Sequence, residues 1–235
     1  KGKEVCWVAE DKTNEKVKDI IRSEAQKDKY SKLVFEDNRL EIFFQPVFGL
    51  RNKKIYDVEA LVRLKENNKY VSAYIFMDAL YEKNLISELD LKILAKIMEY
   101  SGKIKNITNS IFINLSPLSL KTPKYRESIE KTITHLKGEG ITPYFEITEQ
   151  AILDDIEIIK YISLQHGIKF AIDDFGTGYS SLRTIAELAE AEVISHLKID
   201  GSLTKKLLDS EEVYKIIKST SQMAKSLGLK TAAEF

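Results

Sequence analysis

Glu59, Asn114, Glu146, the pair Asp173–Asp174, and Glu234 each stand inside or at the end of a short apolar run. The runs are Asp-Val-Glu-Ala-Leu-Val, Ile-Phe-Ile-Asn, Tyr-Phe-Glu-Ile-Thr, Phe-Ala-Ile-Asp-Asp and Lys-Thr-Ala-Ala-Glu. Lys198 and Asp200 flank Ile199 in the same way. An ionised side chain in such a place is costly unless it is paired or holds a metal ion. These carboxylates and the amide are oxygen donors, which suit Mg²⁺ or Mn²⁺ rather than a thiolate-seeking metal. For any one of them alone, a structural ion pair or a strand-end cap is the simpler reading. The repetition of the arrangement favours one shared site. Lys198 breaks the acidic pattern, either neutralising its neighbours or orienting a water and balancing charge on a phosphoryl oxygen. Arg63, four residues after Glu59, is placed to fork onto a phosphate, although an isolated arginine is more often a surface residue.

Neighbouring strand residues point to opposite faces, so Asp173 and Asp174 reach one site only where the strand turns into its loop. The glycines of Phe-Gly-Thr-Gly-Tyr supply that freedom, and Ser180–Ser181 then offer N-caps for a helix. No strand-end His or Cys provides an alternative nucleophile. His135, His166 and His196 have no partner at ligand spacing and read as structural.

The elements that must position these groups alternate. Apolar or β-branched runs at Ile42–Val47, Tyr56–Val62, Ser110–Leu115, Tyr144–Thr148, Lys169–Ile172, Ser195–Ile199 and Leu229–Ala233 predict strands. Between most of them, Ser72–Asn84, Ile86–Tyr100, Tyr125–Lys137, Ile152–His166, Ser180–Leu188 and Glu211–Leu227 predict helices. This rhythm means parallel βα units in an α/β fold, and a (β/α) barrel fits better than an open doubly wound sheet. In a parallel barrel the C-terminal strand ends meet at one face, so residues far apart in sequence converge.

The 235 residues carry 36 Lys plus Arg and 36 Asp plus Glu, a formal net charge of zero. No overall basic field exists to hold a nucleic-acid duplex, and DNA is not expected as a partner. Cys6 is the single cysteine, which excludes an intrachain disulfide. No apolar run approaches the roughly 18–20 residues of a membrane helix, nor has the N-terminus the apolar core of a signal peptide. A cytoplasmic location is the expectation. Residues 1–32 differ from the rest: a charged stretch carries Val17, Ile20, Ile21 and Ala25 at helical spacing. They are expected to form either a helix lying on the main domain, which spans residues 33–235, or a linker helix from an upstream domain; the two readings are compatible.

Five blocks occur in order: Glu59-Ala60-Leu61 with Val62-Arg63, Asn114-Leu115-Ser116, Glu146-Ile147-Thr148-Glu149, Asp173-Asp174-Phe175-Gly176-Thr177-Gly178-Tyr179-Ser180-Ser181-Leu182, and Lys198-Ile199-Asp200. With Gln45-Pro46 in the first strand, they resemble the EAL domain, the cyclic di-GMP phosphodiesterase family, from about Leu40 onward. The resemblance implies a modified TIM-like (β/α) barrel whose first strand is antiparallel, and metal-dependent hydrolysis of cyclic di-GMP to linear pGpG. It implies that Glu59, Asn114, Glu146 and Asp173 hold one divalent ion, that Asp173 and Asp174 share a second, and that Glu234 serves the metal and water cluster. Lys198 would assist the attacking water, Gln45 and Arg63 would contact the dinucleotide, and Glu149 would brace the Asp-Phe-Gly-Thr-Gly loop. A homodimer and an upstream GGDEF or sensor domain are further implications.

The resemblance runs to Phe235, where the family continues with a final strand and helix; both are expected to be missing from this stretch, which leaves two strand edges open, rather than from the natural protein. Beside the hydrolase, two other readings remain: a catalytically inactive receptor for cyclic di-GMP, and a protein-interaction module.

Overall fold

The computed structural model describes residues 23–176 and 182–234, without the side chains of residues 153–155. Most of the expected N-terminal helical stripe, the Ser180–Ser181 caps and Phe235 lie outside the described residues. The chain divides into two compact units, residues 23–41 with Arg63–Leu85, and Ile42–Val62 with residues 86–234. Strands β1 (Leu40–Phe48) and β2 (Ile55–Glu66) contribute to both.

In the first unit a helix over residues 23–33, α1, is followed by the end of β2 and by β3 (Lys69–Ser72). These two strands form an antiparallel hairpin with register Arg63↔Ser72 through Glu66↔Lys69. Asn67 makes the two-residue turn possible by adopting φ 52°, a conformation asparagine tolerates better than most residues. A 3-10 turn at Ala73–Ile75 and helix α2 (Met77–Glu82) complete the unit. The helix expected over Ser72–Asn84 is therefore shorter, because Ser72 is spent on the hairpin. Glu66 accepts from Tyr30 at 3.1 Å and pairs with Lys29, so α1 is tied to the hairpin. Val34, Leu64, Phe76 and Leu80 are fully buried.

The second unit holds the expected alternation. Its strands are β4 (Ser110–Asn114), β5 (Thr142–Thr148), β6 (Lys169–Phe175), β7 (Ile194–Ile199) and β8 (Lys230–Ala233), together with the shared β1 and β2. The order along the sheet is β1-β2-β4-β5-β6-β7-β8. From β2 to β8 the pairings are parallel. β1 neighbours β2 across the short turn 49–54, closed by Gly49 N–H to the Lys54 carbonyl at 2.9 Å; only an antiparallel pair can be joined so briefly. The result is a curled, open TIM-like sheet with its first strand antiparallel, ending at β1 on one side and β8 on the other. Pro46 is tolerated in β1 because that strand is an edge.

Helices α3 (Ile86–Glu99), α4 (Ser101–Lys105), α5 (Pro117–Leu120), α6 (Pro123–Gly138), α7 (Glu149–His166), α8 (Leu182–Glu190), α9 (Gly201–Thr204) and α10 (Glu211–Ser226) punctuate the strands. Pro123 opens α6 at a position where its missing N–H is harmless, and Gly167 ends α7 at φ 57°. Alternate strand residues such as Ile111, Phe145, Phe170 and Leu197 join the core beside helix residues such as Ile97, Ile129 and Ile159. Burial of both faces explains why these strands read as nearly continuous apolar runs. No helix among the described residues is long and apolar enough to cross a membrane.

The other face of the sheet decides the chemistry. Phe112, Tyr144 and His196 pack on one another, with ring centroids 4.6–5.3 Å apart. Two residues further along the same strands come Asn114, Glu146 and Lys198. The two-residue period of a strand keeps them on the face of the aromatic layer, one step nearer the C-terminal ends.

Candidate metal and catalytic site

Lys198 is the centre of the site. It rises from β7 with its side chain 3% exposed, and its Nζ lies 2.5 Å from Glu146 Oε1, 2.6 Å from Glu234 Oε1, 2.9 Å from Asp173 Oδ1 and 3.4 Å from Glu59 Oε2. Strands β2, β5, β6 and β7 and the residue after β8 thus deliver one polar group each. Asn114 Nδ2 donates to Glu59 Oε1 at 3.5 Å, which brings in β4.

Asp173 and Asp174 both reach the cluster because β6 bulges there. The register with β7 shifts between Ile172 and Phe175, and Asp174 adopts φ 52°. One extra residue on the bulged strand cancels the alternation that would have sent the two carboxylates to opposite faces. Oxygens of Asp173, Asp174 and Glu234 lie within 4.8 Å of one another, a grouping able to hold a metal ion.

Two supports fix this bend. Glu149, 3% exposed at the start of α7, accepts the Gly176 N–H at 3.0 Å. Thr148 caps the same helix by accepting from Ala151 N–H at 3.3 Å. Asp200 accepts from Ser202 N–H at 2.8 Å and shares a hydrogen bond with Asp174. Asp200 is the member of that pair held low, first by the Ser202 hydroxyl, whereas burial and then the Asp173 charge raise Asp174.

The electrostatics are those of a site built around cations. Burial raises Glu146 well above the usual carboxylate range, against the pull of Lys198. Burial also pushes Glu234 up to about 7. Burial alone would lower Lys198, but the charges of Glu146, Asp173, Glu59 and Glu234 overcome it and hold the ammonium above its ordinary value. Both oxygens of Glu146 and Oδ1 of Asp173 are buried; Lys198 Nζ faces Glu146 Oε1 at 2.5 Å and Asp173 Oδ1 at 2.9 Å, while Glu146 Oε2 has no hydrogen-bond partner among the described residues. Buried acceptors left in that condition, in an all-oxygen donor set, fit a hard divalent cation.

A cleft of about 480 Å³ opens beside the cluster, lined by Gln45, Pro46, Phe48, Glu59, Lys198 and Glu234 among others. Gln45 is therefore brought to the site's edge. Arg63 belongs to the first unit, opposite Ser72 in the hairpin. His196 lies under the site, with Nδ1 2.8 Å from Ser195 Oγ, and burial lowers it to about 4. His135 meets Ser101 and His166 faces Glu130, so none of the three histidines belongs to the cluster. Sequence reasoning did not single out Thr204, whose hydroxyl donates to the Glu234 carbonyl. Nothing in its spacing announces that contact.

Comparison with known proteins follows the same lines. The family described as "EAL domain" matches residues 27–235. The cyclic di-GMP phosphodiesterase PdeA of Borreliella burgdorferi is 32% identical over 222 residues, covering 92% of this chain and 32% of that protein. The cyclic di-GMP phosphodiesterase PdeF of Escherichia coli is 28% identical, covering 85% and 27%. The chain thus spans about a third or less of these relatives. Among solved structures, the S helix-GGDEF-EAL portion of Vibrio cholerae LapD bound to c-di-GMP superposes with a TM-score of 0.74 at 21% identity. It covers 90% of this chain and 51% of that one, and it shows the shared fold.

Proposed function

Because the chain belongs to the EAL domain family, we propose that it hydrolyses one phosphodiester bond of cyclic di-GMP to give linear pGpG, with Mg²⁺ or Mn²⁺ as cofactor. The observation that carries this reading is the strand-end cluster of Glu59, Glu146, Asp173 and Glu234, four carboxylates sharing the single ammonium of Lys198, with Glu146 Oε2 buried and without a hydrogen-bond partner among the described residues. An anionic diester cannot approach such a cluster without cations.

In this reading Glu59, Asn114, Glu146 and Asp173 hold one ion, Asp173 and Asp174 share a second, and Glu234 serves both metal and water. Two such ions supply Lewis-acid charge that makes water a competent nucleophile and steadies the departing oxygen. The chain's own groups do the rest. Lys198 stays protonated, so it acts as a hydrogen-bond donor that orients water and balances charge on the phosphoryl oxygens. The oxygen of water bonds to phosphorus, the bond to the ribose 3′ oxygen breaks, and the water's protons end on that oxygen and on a neighbouring carboxylate. Glu149 holds the bulge through Gly176. Gln45, on the cleft wall, contacts the dinucleotide, and Arg63 is assigned to it by its motif position.

The same proposal extends to context. PdeA and PdeF are named for this activity, and LapD carries a GGDEF segment before its EAL segment. We place residues 1–32 as a linker from a GGDEF or sensor domain, residues 33–235 as the EAL barrel of a cytoplasmic enzyme, and the active form as a homodimer.

The test is chromatography of cyclic di-GMP incubated with the full-length protein and Mg²⁺ or Mn²⁺, beside Glu59→Ala and EDTA controls. Formation of pGpG, lost in both controls, is the expected result. Binding without hydrolysis would make the domain a receptor, and a folded protein that neither binds nor cleaves would be an interaction module.

A further inference from the structure

Glu234 is held differently from the other carboxylates of the cluster. Glu59, Glu146 and Asp173 lie within strands, whereas Glu234 follows the last residue of β8, a strand at the end of the sheet whose residues are mostly exposed. Its carboxylate nevertheless reaches Lys198 at 2.6 Å and approaches Asp173 and Asp174. Two backbone contacts keep it there. Its N–H donates to the Ile199 carbonyl at 3.2 Å, extending the β7–β8 ladder by one residue. Its carbonyl accepts from the hydroxyl of Thr204.

We propose that Thr204 is a positioning residue for Glu234, fixing through a hydroxyl-to-carbonyl bond the carboxylate that closes the cation site. The inference rests on the metal-dependent hydrolase reading above.

Thr204 ends α9, the single turn that Asp200 caps; Asp200 in turn is bonded to Asp174. One short turn therefore steadies two carboxylates of the Asp173–Asp174–Glu234 grouping, one at each of its ends. The Thr204 hydroxyl has one proton and two acceptors in reach. The Gly201 carbonyl lies 3.2 Å away and the Glu234 carbonyl is nearer, so the proton goes to Glu234. A valine would fill the same volume with no proton to give. Partners that orient metal-binding groups typically contribute about 10–100-fold to metal affinity or activity.

The experiment titrates Mn²⁺ into the full-length protein, following the free ion by electron paramagnetic resonance. Wild type, Thr204→Val and Thr204→Ser are compared, with thermal melts in EDTA alongside. The expected result is Mn²⁺ affinity lowered about 10-fold in Thr204→Val and kept within about twofold in Thr204→Ser, at similar melting temperatures. Wild-type affinity in Thr204→Val, or equal losses in both variants, would overturn the proposal. Should valine fail to fold, Thr204→Ala against Thr204→Ser makes the same comparison. A wild-type protein that binds no Mn²⁺ would instead sink the hydrolase reading, a separate outcome.

Discussion

Lys198 Nζ lies 2.5 Å from Glu146 Oε1, with the two side chains 3% and 0% exposed. This is a buried ion pair in which the cation is shared: Asp173, Glu234 and Glu59 also lie within 3.4 Å of the same nitrogen. Four carboxylates against one ammonium leave an excess of buried negative charge. Burial raises both Glu146 and Glu234, and the charges of neighbouring carboxylates add to that shift, so the ionised cluster is costly while Lys198 is the cation that faces it.

That imbalance makes Lys198→Met informative. Removing one partner of a buried pair typically destabilises by about 3–5 kcal/mol, because the other is left uncompensated. In EDTA the variant should unfold at distinctly lower urea concentration than wild type. Mn²⁺ should then stabilise the variant more than it stabilises wild type, since the ion relieves the same repulsion. Urea titrations with and without Mn²⁺ read both effects. A variant as stable as wild type in EDTA would mean that the carboxylates are neutral and need no cation.

The bend at Asp173–Asp174 is held by Glu149 through the Gly176 N–H at 3.0 Å, and Gly176 itself sits at φ 109°. Glu149→Gln keeps a carbonyl oxygen as acceptor, whereas Glu149→Ala leaves the N–H without its partner. Alanine should lower pGpG formation by about 10–100-fold and glutamine by less, because the support acts on metal-binding groups rather than on substrate. The alanine loss should shrink as Mn²⁺ is raised. Equal rates in wild type and Glu149→Ala would refute a supporting role.

Gly176→Ala strikes the same bend from the backbone. A Cβ at this residue would meet Leu203 Cδ1 at 2.7 Å, and the φ of 109° is one that side-chain-bearing residues rarely adopt. Strain of this kind amounts to about 1–3 kcal/mol. The variant should melt lower than wild type and bind Mn²⁺ more weakly. Unchanged melting with unchanged affinity would show that the bend tolerates a different backbone path.

Most of the strand order and the inward polar layer were legible because a strand has a period of two. Ile-Phe-Ile-Asn, Tyr-Phe-Glu and Ser-His-Leu-Lys each put a polar residue two steps after a ring that faces the same way. Two adjacent aspartates cannot share a face of a regular strand, so the sequence predicts their convergence where the strand turns into its loop; the structure achieves it by a bulge inside β6, which runs on to Phe175. Strand β3 was missed because Lys69–Ser72 has no apolar face, and only the asparagines at 67 and 68 signalled its turn. The sequence pattern starts α7 three residues late, at Ile152, since Glu149 and Gln150 look like loop until Thr148 is recognised as the cap. The four-way contact of Lys198 depends on the curl of the sheet, which periodicity does not encode. Thr204 was invisible because its partner is a backbone carbonyl some 30 residues away.

Asp90 offers a pH test away from the site. On α3 it is 7% exposed, and its Oδ2 accepts from Ser119 Oγ at 2.6 Å. Burial raises its carboxyl to about 6, although the Ser119 bond acts in the other direction. A carboxyl raised in the folded state stabilises it fully below the ordinary value of 3.8, and the contribution is lost as pH rises through about 6. A difference of roughly two pH units corresponds to about 3 kcal/mol. His196 works in the opposite sense. Lowered to about 4 by burial, it stabilises the fold above about 6.5 and ceases to as pH falls towards 4. Wild-type stability alone therefore mixes two slopes, and the comparison with Asp90→Asn removes the histidine's share. Asparagine still offers Ser119 an acceptor and carries no charge at any pH. Relative to wild type, Asp90→Asn should become more stable as pH rises from 4 to 7, by up to about 3 kcal/mol at the top of the range. Urea denaturation at pH 4, 5.5 and 7 measures the difference, and a gap that stays constant across these values would show that folding does not raise the Asp90 carboxyl.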